Sequence, residues 1–282
     1  MKKGLWQCPF CNNGKKDFFI ETFDRLNPEK RYVYWRCLNC NLVFLENRKD
    51  NNNFYTYNLD KKINLIKRFT MWLVYRKIKR LKPMGDLLDF GCGTGYLLKY
   101  LSSKKYNVEG IEFDKRAIRI AKNVHGLAVY SKWKNKKYDI ILINHVLEHL
   151  PNPKNELEII KSHLKEDGII VVRIPNINSR QFKIFGGKWF HLDAPRHLNH
   201  FYKGSFYAIA KSAGLKIFRS DYFNIDIDPL GWYFSIFGFP KKGFKGFNPL
   251  ELLILAMTIP LTIIDCIFKS TADITYILNK KT

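Results

Sequence analysis

The sequence predicts an α/β protein built on a doubly wound, mainly parallel sheet, and two observations carry this prediction. The first is that segments favouring strands alternate with segments favouring helices. The strand-like segments lie at about 86–90, 107–112, 127–130, 139–144, 169–174 and 215–219, and the helical ones at 94–103, 114–124, 154–164 and 204–213. The second is an apolar run ending in Asp89 that leads through a glycine-rich turn into another apolar run, as a strand, a tight turn and a helix would.

The turn after Asp89 has the composition of a ligand-binding loop. Gly91, Gly93 and Gly95 stand at alternate positions, where the lack of a Cβ allows positive φ and lets a ligand lie against the main chain. A dinucleotide-binding fingerprint would place its third glycine at the position of Tyr96, so a pyrophosphate ligand is disfavoured. A carboxylate at the end of the strand would repel phosphate and attract a cationic ligand.

Residues 86–99 resemble motif I of the class I S-adenosylmethionine (SAM) dependent methyltransferases, and three later segments extend the resemblance in the expected order. Residues 108–114 end a strand on an acid, 138–153 contain a Val-Leu-Glu-His signature, and 167–172 give a turn and a fifth strand. The resemblance implies a seven-stranded Rossmann-like sheet with SAM at the carboxyl ends of its strands. The residues that it assigns to the cofactor are Asp89, Gly91, Cys92, Gly93, Gly95, Glu112, Phe113, Asn144 and His145, with Glu112 on the ribose.

The chemistry implied is an in-line displacement of a methyl group from a sulfonium by an acceptor heteroatom. Such a reaction needs alignment, exclusion of water and, for a hydroxyl acceptor, a base that takes the proton. The candidate bases are His149 in the signature and His197 in 189–202, a stretch that resembles the segment after strand five in a small-molecule methyltransferase subgroup. Each also has a structural interpretation: His149 as a cap or a hydrogen-bonding core residue, and His197 as a structural bond to a neighbouring loop. His191 and His200 have no carboxylates at ligand spacing beyond Asp193, so a second metal is disfavoured there.

Two Cys-x-x-Cys pairs, Cys8 with Cys11 and Cys37 with Cys40, predict a tetrahedral Zn²⁺ site. Because all four positions are thiolates, we expect the ion to be structural. Alternating apolar residues around the pairs predict the strands of a small ribbon that needs its metal to fold. Disulfides or a redox pair are the alternative, and a reducing compartment disfavours them. Such a ribbon would help to hold RNA, cover a substrate or act as a scaffold.

These features divide the chain into a zinc ribbon at 1–47, a helical linker at 48–84 and a methyltransferase domain at 85–282. Apolar residues at helical spacing between 61 and 81 predict an amphipathic helix in the linker. The N-terminal residues lack the apolar stretch of a signal peptide, so a cytoplasmic location is expected. With 48 Lys and Arg against 25 Asp and Glu, the net charge of +23 favours anionic partners, unless it reflects an AT-rich coding bias.

An apolar insertion at about 229–269 separates the sixth strand from a last strand expected at 272–280. Its longest uncharged run, 252–264, contains Pro260 and is shorter than the roughly 20 residues that cross a bilayer. Aromatic residues beside lysines, followed by this run, favour contact with an anionic membrane surface through 231–268, which would make the protein peripheral on the inner face of the membrane. A lid or a dimer surface is the alternative.

The sequence therefore predicts a SAM-dependent methyltransferase that acts on a hydroxyl of a carbohydrate or lipid-linked glycan. An exocyclic amine acceptor is disfavoured, because strand four is followed by Asn-His-Val-Leu at 144–147 rather than by Asn-Pro-Pro-Tyr. One alternative is an RNA methyltransferase that grips phosphates with its ribbon and basic surface. Another is a non-catalytic zinc and membrane adaptor with a vestigial methyltransferase domain.

Overall fold

A computed structural model of the chain describes residues 7–46, 65–239 and 247–281. The strands in these residues are β1 (Lys16–Asp24), β2 (Asn27–Cys37), β3 (Val43–Leu45), β4 (Gly85–Phe90), β5 (Tyr106–Ile111), β6 (Val129–Tyr130), β7 (Tyr138–Asn144), β8 (Leu164–Pro175), β9 (Asn199–His200), β10 (Leu215–Asp221) and β11 (Asp273–Lys280). The helices are α1 (Leu65–Leu81), α2 (Tyr96–Ser102), α3 (Lys115–Asn123), α4 (Pro153–Ser162), α5 (Arg180–Phe185), α6 (Lys203–Ser212), α7 (Asp228–Phe237), α8 (Pro249–Met257) and α9 (Ile259–Ile267).

The larger sheet has the doubly wound arrangement that the sequence predicts. Its seven strands lie in the order β10-β11-β8-β7-β4-β5-β6, and β11 runs antiparallel to both of its neighbours. The chain reverses its direction of progress across the sheet between β4 and β7, and ligands of such sheets bind at this switch point. The strands predicted at 86–90 and 139–144 are β4 and β7, each within one residue of the expected bounds.

Local sequence explains where these elements begin. The apolar run of β7 is buried because helices cover both faces of a parallel sheet. α3 starts after Asp114, whose carboxylate accepts hydrogen bonds from the backbone N–H groups of Arg116 and Ala117. Asn152 caps α4 in a similar way, and Pro153 occupies the first turn, where a missing N–H is tolerated. Caps therefore define the helix starts, and the sheet brings the strand ends together.

The N-terminal strands are joined to the rest of the protein. β1, β2 and β3 form an antiparallel sheet that continues into β9, with Val43 opposite His200. Cys8 and Cys37 lie in the same buried core as apolar side chains of the large sheet. The strands of the ribbon predicted at 1–47 thus form a sheet that takes its fourth strand from a distant part of the chain. The predicted boundary at 47 and the first part of the linker lie outside the described residues, and the linker helix is α1.

Three helices, α7, α8 and α9, lie between β10 and β11, where the apolar insertion is predicted. In the described residues, Pro249–Ile267 is long and apolar enough to cross a membrane: it has 19 residues and a mean hydropathy of 2.1, and 17% of its most apolar stretch is buried. The prediction that the apolar segment is too short to cross a bilayer is therefore wrong. Asn248 and Glu251 form a capping box, which starts the helix before the uncharged run begins.

Replacing Gly91 by alanine should destabilise the fold strongly. The residue has a φ of +81°, and an added Cβ would lie 2.4 Å from Cγ2 of Val146. We expect a loss of about 3 kcal/mol in the free energy of unfolding, measured by denaturant titration. Gly204→Ala is the matched control, because its Cβ would meet no atom within 4 Å. Equal stability of the two variants would contradict the structure of the turn.

Candidate functional site

The turn between β4 and α2 holds its backbone against the next strand. Gly91, Gly93 and Gly95 have φ values of +81°, +55° and +83°, a region that residues with a Cβ rarely enter. The N–H of Gly91 donates to the carbonyl of Ile111 at 2.8 Å. The three glycines predicted to bind the cofactor therefore form a tight loop at the carboxyl ends of β4 and β5.

Two carboxylates, Asp89 and Glu112, are buried at the ends of these strands, with exposed fractions of 4% and 3%. Glu112 accepts hydrogen bonds from the backbone N–H groups of Gly93 at 2.8 Å and Phe113 at 2.7 Å. Burial, followed by the nearby charge of Glu112, raises the pKa of Asp89 to about 7. None of the described Lys or Arg side chains forms an ion pair with either carboxylate, so the pair suits a cationic ligand such as the sulfonium and ammonium groups of SAM.

The other residues predicted for the cofactor surround this pair. Cys92 is buried within the loop, and burial raises the pKa of its thiol. Phe113 is largely exposed, and its ring packs edge-on against Phe90 at 5.9 Å between centroids. Asn144 ends β7 and lines a narrow cavity beneath α1 together with Arg173. An exposed aromatic ring beside two carboxylates offers an apolar surface for a nucleoside base.

His145 takes part in an internal ion network. Its Nδ1 lies 3.3 Å from a Glu148 oxygen and its Nε2 lies 3.2 Å from a carboxylate oxygen of Asp273. Although burial opposes charge, these carboxylates raise the pKa of His145 to about 10. Arg173 continues the network through a bidentate pair with Asp226, at 2.8 and 3.0 Å. Both ring nitrogens of His145 thus face protein carboxylates, and its predicted contact with the cofactor stays a prediction.

Sequence reasoning missed the charged partners in this network. Arg173 interrupts the apolar run of β8 and is buried, which was a usable signal because an unpaired charge inside a core is costly. Asp226 and Asp273 carried no comparable signal, since they stand at the edges of elements where exposed acids are common.

The two predicted bases, His149 and His197, meet beside Glu148. Their ring centroids are 4.7 Å apart, and a ligand atom from each of the three residues lies within 4.8 Å of the others. Nδ1 of His149 donates to the carbonyl of Arg196 at 2.8 Å. Nδ1 of His197 donates to the carbonyl of His191 at 2.7 Å. Because Nδ1 donates in each ring, Nε2 carries the lone pair of the neutral form.

This arrangement has two chemical uses. Burial and then the neighbouring His149 lower the pKa of His197 well below its ordinary value, so His197 is neutral and its Nε2 offers a lone pair. Glu148 is buried, and its Oε2 has no hydrogen-bond partner among the described residues. Two imidazoles and a carboxylate are also ligands that suit a divalent cation. Sequence reasoning considered His191 and His200 for a second metal, whereas the histidines that converge with a carboxylate are His149 and His197.

The N-terminal sheet holds the loop that carries His197. The hydroxyl of Tyr34 on β2 lies 2.6 Å from the carbonyl oxygen of His197 and 2.9 Å from that of Leu192. Arg196, the neighbour of His197, forms an ion pair with Asp24 of β1 at 3.0 Å. The position of the histidine therefore depends on the small sheet.

The four predicted metal ligands converge at the base of that sheet. Sγ of Cys8 lies 3.6 Å from Sγ of Cys40, and the same distance separates Cys11 from Cys37. Tetrahedral zinc with Zn–S bonds of about 2.3 Å would separate its sulfur ligands by about 3.8 Å. A disulfide would need sulfurs about 2.05 Å apart, and all four cysteines are free thiols. The donor set and its spacing therefore fit zinc.

Replacing Asp89 by asparagine should stabilise the fold at pH 8. The folded-state pKa of Asp89, about 7, lies above its ordinary value of 3.8, so stability falls as the pH rises between these values. We expect Asp89→Asn to raise the free energy of unfolding by about 1 kcal/mol or more at pH 8, with a smaller gain near pH 5. Denaturant titrations at both pH values test this, with Glu158→Gln on the surface of α4 as control. A loss of stability that is equal at both pH values would contradict the burial of this carboxylate.

Comparison with known proteins places the chain in a family. A family described as a methyltransferase domain matches residues 60–220, more than half of the chain. The uncharacterised protein MJ1123 of Methanocaldococcus jannaschii is 31% identical over 140 residues, which are 48% of this chain and 62% of that protein. A ubiquinone biosynthesis O-methyltransferase of Bordetella avium is 27% identical over 171 residues, 54% of this chain and 70% of that protein. The chain spans less than two thirds of the archaeal relative's own length.

Solved structures share the fold at low identity. A protein of Galdieria sulphuraria described as a sarcosine dimethylglycine methyltransferase has a TM-score of 0.50 at 14% identity, covering 76% of this chain and 86% of its own. The 4+2 cyclase SpnF has a TM-score of 0.50 at 15% identity, covering 76% of this chain and 80% of its own. Identities this low show a shared fold alone, and the second protein is named for a different reaction. On the match over residues 60–220, the chain belongs to the methyltransferase domain family, and its fold is that of the class I SAM-dependent methyltransferases.

Proposed function

We propose that the protein transfers the methyl group of SAM to a hydroxyl of a carbohydrate or a lipid-linked intermediate. The observation that carries this proposal is the pair of buried carboxylates, Asp89 and Glu112, on either side of a glycine loop at the switch point of the sheet. Such a pair is complementary to a cationic nucleoside. An oxygen acceptor is supported by the Bordetella avium relative, which is named an O-methyltransferase.

In this proposal the two acids bind the cofactor, and a histidine accepts the proton of the substrate hydroxyl. SAM, when bound, supplies a methyl group already activated by its sulfonium. Asp89 would attract the positive end of the ligand, and Glu112 would accept hydrogen bonds from the ribose hydroxyls. Glu112 also keeps the loop closed by accepting from the N–H of Gly93. His197, or His149 beside it, would take the acceptor's hydroxyl proton at Nε2 while the acceptor oxygen bonds the methyl carbon and the sulfur–carbon bond breaks to leave a neutral thioether.

Membrane contact through 231–268 is the second part of the proposal, and it would make the protein peripheral on the cytoplasmic face. The exposed apolar side chains of α8 and α9 include Leu250, Leu253, Met257, Ile263 and Ile267. Asp265 on α9 is buried instead, where it pairs with Arg180 at 3.0 Å and accepts from the indole N–H of Trp232 at 2.9 Å. The helix is thus attached to the protein on one side and apolar on the other, as an interfacial helix is. If the segment is a lid or a dimer surface instead, we expect the protein not to bind lipid.

The acceptor class can be tested by incubating the protein with labelled SAM and separate lipid, nucleotide-sugar and RNA fractions. We expect label in the lipid or sugar fraction and at least a tenfold loss with Glu112→Ala, since losing hydrogen bonds to a charged group weakens binding by about 1.5–3 kcal/mol. Glu158→Gln is the control. Label in RNA alone would support an RNA methyltransferase instead. No label and no heat of SAM binding in calorimetry would indicate a vestigial domain that serves as an adaptor.

The third part of the proposal is a structural Zn²⁺ bound by Cys8, Cys11, Cys37 and Cys40. Cys11→Ser should reduce bound zinc from one ion per chain to below about a tenth, because the ligands bind cooperatively with folding of the small sheet. Its unfolding temperature should also fall. Cys266→Ser, which changes a cysteine on α9, should keep both. Elemental mass spectrometry and thermal unfolding give the two readouts, and wild-type protein grown with zinc yet lacking it would contradict the proposal.

A further inference from the structure

A groove of about 560 Å³ lies between α1 and the chain that follows β10. Three exposed arginines line it: Arg76 and Arg80 on α1, and Arg219 on β10. Asp221 is the carboxylate in this lining, and it lies 3.3 Å from Nζ of Lys77, which neutralises it. The groove therefore carries a positive charge equivalent to its three arginines, and it favours an anionic ligand.

Aromatic side chains stand at the rim of this groove. Phe69 and Trp72 stack at 5.7 Å between ring centroids, and the guanidinium of Arg76 lies 4.9 Å from the ring of Trp72. Phe223 faces them from the opposite wall, and all three aromatic residues are exposed. Aromatic and basic side chains that alternate at one surface are typical of the boundary between water and lipid.

The same groove adjoins the apolar helix α9. Nζ of Lys77 donates to the carbonyl of Phe223 at 2.6 Å and to Oδ1 of Asn224 at 3.2 Å. The carbonyl of Asn224 accepts from the backbone N–H of Asp228, the first residue of α7, at 3.0 Å. The hydroxyl of Thr258, which stands between α8 and α9, donates to the carbonyl of Pro229 on α7 at 3.3 Å. At the end of α9, residues 267 and 268 are exposed apolar side chains. Cations and uncovered apolar surface are therefore neighbours here.

We propose that this groove binds the phosphate headgroup of an anionic phospholipid while the apolar face of α8 and α9 lies among the acyl chains. The inference rests on the membrane contact proposed above and assigns its charged half to named residues. The charge of the groove complements phosphate, and the apolar helix beside it requires a partner with an apolar phase. RNA offers phosphate groups but no apolar phase.

Sedimentation with vesicles tests the inference. The groove variant is Arg76→Gln, Arg80→Gln and Arg219→Gln together, and the matched control is Lys115→Gln, Arg119→Gln and Lys122→Gln on α3. Vesicles are made of phosphatidylcholine alone or mixed with phosphatidylglycerol. We expect the groove variant to bind the anionic vesicles at least about tenfold more weakly than wild type, and the control to change by less than about threefold. Thermal unfolding shows whether each variant is folded.

Further outcomes separate this inference from the proposed membrane contact. A Leu253→Gln, Ile263→Gln variant should lose binding to both kinds of vesicle. If it does, and the groove and control variants remain equal, the groove assignment is overturned and the membrane contact stands. If wild-type protein sediments with neither vesicle, both fail. If the groove variant loses affinity for RNA at physiological salt and keeps its affinity for anionic vesicles, the groove serves RNA and the lipid assignment is overturned.

Discussion

The confinement of two like charges at adjoining strand ends is the constraint around which this structure is arranged. Asp89 and Glu112 lie at the ends of parallel strands that are hydrogen-bonded neighbours, so the sheet register itself keeps them close. Burial of both carboxylates costs stability in the absence of a cation. The backbone N–H groups that reach Glu112 offset part of this cost and shape the glycine loop. The two buried carboxylates therefore lower the stability of the fold while they keep negative charge at the strand ends.

The small N-terminal sheet positions the loop that carries His197. Its fourth strand, β9, belongs to the segment that follows β8 of the large sheet. Tyr34 and Asp24 of the small sheet contact the same segment. The loop carries His197, whose ring meets His149. A metal bound at the four cysteines would stiffen the strands that hold this histidine in place. The sheet that contains the four cysteines and the loop that carries His197 are thus connected by hydrogen bonds and ion pairs.

An internal ion network restrains the end of β7. It consists of His145, Arg173, Asp226 and Asp273. Buried ion pairs seldom add much stability, but their fixed geometry restrains the elements that they join. Here they join the end of β7 to β8, β11 and the segment before α7. His145 has a φ of +54°, and its contacts hold it in this uncommon conformation directly after Asn144. The strand end beside the cofactor site is therefore restrained by charge as well as by packing.

The sequence by itself determined the parallel sheet, the glycine turn, the acids at the strand ends and the convergence of two cysteine pairs. These features depend on residues close together in the chain, such as the cap at Asp114 or the glycines that permit positive φ. Only the tertiary structure decided that β3 pairs with β9, that Asp273 reaches His145, and that His149 meets His197. It also decided that α1 and β10 enclose a basic groove, which is linked through α7 to the start of α9. Such contacts join segments far apart in the chain, and they follow from how the whole sheet packs against its helices, which local periodicity does not encode.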